Sequence, residues 1–194
     1  MKTLILDTSS PFLYVGILED GKEIYKKVLE GKNNHSEHLM PIIEEGFKSC
    51  NFDVKDLDKI IVGIGPGSYT GLRISLVIAK MFSWTLGIKL HTVSSLDILG
   101  SGHFVKDGIY AICNVAKKNY LYSKVVEVKN GKINNLIDEE FILETEFLDK
   151  IKDINYSLVD SNNYKYSGEV IEKLETVEVE DVHPLIPNYL RKDI

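Results

Sequence analysis

Cysteine is scarce in this sequence of 194 residues. The two that occur, Cys50 and Cys113, lie far apart and form no Cys-x-x-Cys pair. A disulfide framework and a cysteine zinc site are therefore not expected, and a reducing cytosol suits the chain. Long apolar runs are missing too. No stretch approaches the roughly 18 residues that cross a bilayer. The opening Met-Lys-Thr-Leu-Ile-Leu-Asp meets a carboxylate after three apolar residues, too few for the core of a signal peptide. Positive charge is in deficit: 23 basic against 29 acidic residues leave a net charge of −6, which argues against a free-standing nucleic-acid binder with a broad basic face. Together these absences predict a cytoplasmic protein with no membrane segment. What is present is ordinary. Apolar residues make up 44% and charged residues 27%, enough for a core in one domain or two small lobes.

The apolar pattern predicts strands at Thr3 to Leu6, Phe12 to Leu18 and Glu23 to Leu29, with Asp20-Gly21 supplying the positive φ angles of a tight hairpin turn. A polar loop, Gly31 to Asn34, leads to a helix marked by Leu39, Ile42, Ile43, Phe47 and Cys50 at spacings of three and four. Ser36 is its expected cap, and Pro41 is expected near enough to the start to cost little. A buried strand, Ile60 to Ile64, precedes a glycine-rich loop and a helix from about Thr70 to Leu86, closed by Gly87. Lys89 to Val93 returns as a strand. Beyond Gly100 the outline repeats: strands at Ile109 to Val115, Tyr120 to Val128 and Lys132 to Ile137, a second hairpin turn at Asn130-Gly131, short helices near Phe147 and Val170, and strands at Ser157 to Val159 and Thr176 to Val179. This is a duplicated α/β arrangement, divided at residues 1–100 and 101–194.

Three constellations bear on chemistry. Gly63, Gly65, Gly67 and Gly71 could cradle a phosphate at a helix N-terminus together with Ser68 and Thr70, yet their spacing fits neither GxGxxG nor a P-loop nor GxSxG. A tight strand-to-helix turn capped by Ser68 or Thr70 is the equal alternative. Asp7, followed by Thr8 at the end of the first strand, stands where a carboxylate could reach Mg²⁺ through water, or could simply cap its own turn. The matching corner of the second half carries the neutral Asn114. Finally, His35 and His38 flank Glu37 in the order His-Ser-Glu-His, not HExxH, and His91, His103 and His183 are isolated, so no metal site is expected.

The helix after the glycine loop is apolar at ten of the fifteen positions from Leu72 to Leu86, with Arg73 and Lys80 as its charges. A helix on the surface of a monomer usually shows an apolar face of little more than ~100°. Either the fold sandwiches this helix, or another chain covers it, and the second is the preferred reading. The expected interface joins Leu39, Ile42, Ile43 and Phe47 of the first helix to Leu72, Arg73, Leu76, Val77, Lys80, Met81 and Trp84 of the second. On that reading, aspartate at Leu76 and Met81 together abolishes partner binding and leaves the monomer folded.

Four segments carry a resemblance: Ile-Leu-Asp-Thr-Ser-Ser from Ile5, His-Ser-Glu-His-Leu-Met-Pro from His35, Gly-Pro-Gly-Ser-Tyr-Thr-Gly-Leu-Arg from Gly65, and Pro-Asn-Tyr-Leu-Arg from Pro187. With them the chain resembles the bacterial TsaB, or YeaZ, family of tRNA threonylcarbamoyladenosine biosynthesis proteins. The resemblance implies an α/β, actin-like and Hsp70-like fold (ASKHA, ribonuclease H-like) of two duplicated lobes with mixed sheets. It implies a non-catalytic scaffold that pairs with a TsaD-like transferase as a heterodimer. A TsaE-like ATPase would join the pair, tRNA would be reached only through the complex, and the chain alone would form a homodimer. TsaD-like relatives hold a metal with an HxxxH pair, and here Ser95 and Leu99 stand at those places, so neither metal nor cofactor is implied. The glycine loop with Asp7 and Thr8 would be a vestige of a nucleotide site. Where the family often has Asp-Ala-Arg, this chain has Asn114-Val115-Ala116-Lys117-Lys118, and its second lobe is short. The alternatives are a small ASKHA phosphotransferase or ATPase, and a metallopeptidase.

Overall fold

Strand β1 (Lys2–Asp7) is apolar on both faces from Leu4 to Leu6 and sits in the middle of the first sheet, where both faces are covered. The computed structural model, which describes residues 1–31 and 34–190, gives this sheet β2 (Phe12–Glu19) and β3 (Lys22–Glu30) on one side and β4 (Lys59–Gly63) and β5 (Lys89–Val93) on the other. The pair β1–β2 is antiparallel, whereas β1–β4 and β4–β5 are parallel. Asp20 and Gly21 turn the first hairpin with φ of 51° and 79°, as their sequence predicts. The second sheet repeats the scheme: β8 (Lys132–Leu143), β7 (Tyr120–Lys129) and β6 (Gly108–Lys117) run antiparallel, and β9 (Ser157–Val159) joins β6 in parallel. Both sheets thus carry the ribonuclease H-like strand order, and the fold is the expected duplicated α/β, actin-like one.

Helices α1 (His35–Cys50) and α2 (Tyr69–Leu86) close the outer face of the first sheet over a core that includes Leu4, Leu6, Val15, Ile43, Val62 and Leu76. The opposite face, with Ile5, Tyr14 and Ile61, meets the second sheet's Ile112 and Val126. Between them lie α3 (Ser95–Gly100) and α5 (Gly168–Ile171), which contribute Leu96, Leu99 and Ile171. A third, smaller core lies under α4 (Glu144–Ile151). The lobes therefore share buried apolar surface, and parting them would expose it to water.

Some sequence expectations shift. Asn34, not Ser36, occupies the cap position of α1, where its Nδ2 lies 2.9 Å from His38 Nε2 and its side chain makes no capping bond to the backbone, and Ser36 lies exposed in the first turn. Pro41 is inside the helix, on its exposed side, where the carbonyl left without a donor can turn to water. Two residues of the polar loop expected at Gly31 to Asn34, Lys32 and Asn33, lie outside the described residues, as does Arg191 of the closing Pro-Asn-Tyr-Leu-Arg motif. The strand expected at Thr176 to Val179 forms as β10 (Val177–Glu178), but it adds to the edge of the first sheet, antiparallel to β5. The reason is apolar cover, because Val179, Val182 and Leu185 pack onto the first core.

Candidate functional site

Asp7 ends β1 wholly buried. Its Oδ1 accepts from the Ser9 backbone N–H at 3.0 Å and the Ser9 hydroxyl at 2.7 Å. Its Oδ2 accepts from Ser95 Oγ at 2.7 Å, and that hydroxyl accepts the Gly65 N–H at 3.0 Å. Burial pushes the Asp7 carboxyl above its ordinary range, against the pull of these bonds. A side chain on Gly63 would overlap Oδ2. Asp7 thus caps its own turn through Oδ1, and both of its oxygens accept hydrogen bonds inside the protein. Leu99, the other residue at the HxxxH positions, is buried between the sheets. Ser95 and Leu99 do not fit a metal ion, and among the described residues no three His, Cys, Asp or Glu side chains gather to hold one.

The glycine loop is built for close approach of two chain segments. Ser68 caps α2 by accepting the Gly71 N–H at 3.2 Å, while its own N–H donates to the Ser9 carbonyl at 2.7 Å. Thr8 Oγ donates to the Gly71 carbonyl at 2.6 Å and accepts the Ser75 N–H at 3.2 Å. A Cβ on Gly71 would overlap the Thr8 carbonyl, and one on Gly67 would stand 2.5 Å from the Ser9 carbonyl. These contacts account for the glycines at 67 and 71 without a ligand. Thr70 lines, with Ser68, Ser10, His35, Asn114 and Tyr122, a cleft of about 510 Å³ that no Asp, Glu, Lys or Arg of the described residues borders. His35 is buried with Nε2 3.0 Å from the Ser10 carbonyl, and Asn114 Nδ2 donates to the Ser9 carbonyl at 3.2 Å. Asn114 is thus a tie between lobes.

Burial divides the residues expected at a partner interface. Leu39, Ile42, Ile43, Phe47 and Leu76 belong to this chain's own first core and Leu72 is wholly buried, so their expected place on a docking surface is corrected. The sheet takes one half of α2 through Leu72, Ser75, Leu76, Ala79 and Phe82. On the other half, Arg73, Val77, Met81 and Trp84 face outward at spacings of four, four and three, one helical stripe. Val77 is 62% and Trp84 68% exposed. Lys80 lies between the halves, half-buried.

Sequence reasoning missed what lies beside this stripe. Lys80 Nζ donates to the carbonyls of His183 at 3.1 Å and Leu185 at 2.9 Å, and the Trp84 and His183 rings meet edge to face at 5.5 Å. Arg73 Nε donates to Tyr189 Oη at 2.8 Å while its guanidinium stacks 4.0 Å from the Tyr69 ring centre. Both α2 charges serve the C-terminal segment. The Pro-Asn-Tyr-Leu-Arg motif was the available signal, although spacing alone cannot say where it docks.

A buried ion pair joins the lobes from the far side. Lys124 of β7, 5% exposed, places Nζ 2.8 Å and 2.7 Å from the two Asp97 oxygens in α3. Burial still pushes the Asp97 carboxyl above its ordinary range, with the Lys124 ammonium pulling it back. Lys124→Met strands that carboxylate without a partner, so a loss of about 3–5 kcal/mol is expected. Urea unfolding followed by circular dichroism measures it, and a midpoint equal to wild type would contradict the pairing.

The family model described as TsaD, tRNA N6-adenosine threonylcarbamoyltransferase, matches residues 29–191. The tRNA threonylcarbamoyladenosine biosynthesis protein TsaB of Bacillus subtilis (strain 168) is 28% identical over 219 residues, covering 98% of this chain and 94% of that protein. The protein of the same name from Buchnera aphidicola subsp. Acyrthosiphon pisum is 28% identical over 84% of this chain and 73% of its own length. Among solved structures, YeaZ from Pseudomonas aeruginosa superposes with a TM-score of 0.78 at 19% identity, covering 97% of this chain and 99% of that one. At that identity the likeness is one of fold. No helix of the described residues is long and apolar enough to cross a membrane.

Proposed function

Because the chain belongs to the TsaD family, and the TsaB protein of Bacillus subtilis matches it over nearly its full length, we propose that it acts in threonylcarbamoylation of tRNA as a non-catalytic scaffold subunit. It docks onto a TsaD-like transferase as a heterodimer, a TsaE-like ATPase joins the pair, and tRNA is engaged through the complex. The observation that carries the reading is the outward stripe of α2, where Val77, Met81 and Trp84 present apolar surface beside Arg73. Burying such surface yields about 25 cal/mol per Å², less the cost of association. The non-catalytic part rests on Asp7, whose two oxygens are already hydrogen-bonded within the protein, and on a cleft bordered by no carboxylate of the described residues. The lobe division at residues 100 and 101 belongs to the same proposal, with residues 177–190 crossing back onto the first lobe.

Co-purification from native lysate with mass identification of the partner tests the reading, and a TsaD-like transferase is the expected companion. The double variant Val77→Asp, Trp84→Asp is expected to weaken that capture at least about tenfold, since both side chains lie on the stripe where a central interface anchor costs ~2 kcal/mol or more. Capture unchanged by the double variant sinks the docking face. Turnover of Mg-ATP by the isolated chain would instead favour the phosphotransferase alternative. Without its partner the same stripe is expected to pair with a second copy, seen as a mass that rises with concentration in sedimentation and stays monomeric in the double variant.

A further inference from the structure

Residues 179–190 run along the first lobe and reach the second through Asn188. The Val179 N–H donates to the Leu90 carbonyl at 2.8 Å, and Val182 and Leu185 then lie on the first core. The Asn188 N–H donates to the Ile64 carbonyl at 2.7 Å, and the Asn188 carbonyl stands 2.7 Å from where a Cβ on Gly65 would be, so the chain is seated directly against the glycine loop. From the same residue, Nδ2 reaches across to Glu139 Oε2 of β8 at 3.2 Å. The other Glu139 oxygen accepts from Ser94 Oγ, which caps α3. One carboxylate of the second sheet therefore holds both the C-terminal segment and the cap of a helix that follows the first sheet. Next along the chain, the Tyr189 ring packs tilted against Tyr69, centres 4.8 Å apart, and its hydroxyl receives the Arg73 hydrogen bond, at the start of the docking helix.

We infer that residues 179–190 form a strap coupling the α2 stripe to the closure of the two lobes, with Asn188 and Glu139 as its latch. The strap meets α2 at Arg73, Lys80 and Trp84, next to the face a partner covers, so a partner that presses on Trp84 also presses on His183. A shift there reaches Asn188 through covalent chain, and from Asn188 the second lobe. The Asn188–Glu139 bond is exposed and single, which makes it a reversible latch rather than a permanent weld. A ligand moves such an equilibrium only by binding its two arrangements unequally, and the strap is where that difference would be felt. For what α2 does, the inference rests on the docking reading above; the latch itself does not.

Hydrogen exchange on the full chain, read by mass spectrometry, tests the latch in the absence of any partner. Asn188→Ala is expected to raise exchange about fivefold, the loss of one ordinary hydrogen bond, and Glu139→Ala, which also releases Ser94, by more, in residues 132–143, in residues 179–190 and in residues 64–72 at the glycine loop. Lys150→Ala, which removes only the neighbouring ion pair to Glu140, is the control and is expected to leave residues 64–72 unchanged. A rise confined to residues 132–143, or equal effects from the control, overturns the inference. With a TsaD-like transferase added, the two latch variants are expected to change its affinity several-fold although the α2 stripe is intact, and an affinity equal to wild type overturns the coupling. Failure of wild type to bind the transferase at all counts against the docking reading and leaves the exchange result to decide the latch.

Discussion

Leu76→Asp is expected to unfold the chain, whereas Trp84→Asp leaves it folded, two turns along the same helix. Leu76 is 3% exposed in the first core, and aspartate there both removes a buried leucine, worth about 2–3 kcal/mol, and forces a carboxylate into apolar surroundings at several kcal/mol more. That sum approaches the whole stability of a typical domain, roughly 5–15 kcal/mol. Trp84 loses only an edge contact to the His183 ring, and an exposed substitution of this kind falls within about 1 kcal/mol of wild type. Circular dichroism with urea unfolding separates the two. A cooperative transition for Leu76→Asp at the wild-type midpoint would mean that α2 turns a different face to the sheet. The expectation that aspartate at Leu76 and Met81 together spares the fold is therefore replaced: Met81→Asp alone keeps the monomer intact, and Leu76→Asp does not.

Gly71→Ala is the second large effect, and its sign opposes helix propensity. Alanine inside a helix is favoured over glycine by about 1 kcal/mol. At Gly71, though, the added methyl would overlap the Thr8 carbonyl, a backbone atom at the end of the central strand that has no rotamer to yield. Either α2 shifts outward or the strand end does, and both break the paired bonds of Thr8 Oγ to the Gly71 carbonyl and the Ser75 N–H. Overpacking at ~1–3 kcal/mol and two hydrogen bonds at ~1 kcal/mol each give an expected net loss of at least about 2 kcal/mol. Thermal unfolding measures it against Gly87→Ala, where nothing lies within 4 Å and only the positive φ of 70° is strained, at about 1 kcal/mol. If Gly71→Ala were as stable as wild type, close strand-to-helix approach would not explain the glycine, and an anion cradle would regain its claim.

How much of the site was legible follows from the range of the forces involved. Ser68 could be read as a cap because its partner, the Gly71 N–H, is three residues away. Asp20-Gly21 and Asn130-Gly131 could be read as turns because positive φ is a demand each residue meets by itself. Asp7 was ambiguous because the groups that occupy its carboxylate include Ser95, 88 residues on, a relation no local pattern encodes. The stripe on α2 could be suspected from an apolar girth too wide for one face, yet with apolar residues on both halves nothing told Leu76 from Val77. The same blindness hid the strap. An alternating run at Thr176 to Val179 says strand, and only the apolar cover available on the first core chooses which sheet it joins.

The order of residues thus determined by itself the two hairpins, the glycine that ends α2, the strand-by-strand duplication and the glycine-loop motif, since each depends on dihedral preference or burial period within a few positions. Tertiary packing alone decided which half of α2 stays outside, that Asp7 is held by protein hydroxyls, and that the C-terminal segment returns to the first lobe and reaches the second through Asn188. Those outcomes hang on which distant surfaces meet, and a side chain's cover comes from partners brought by the fold rather than from its neighbours in the chain.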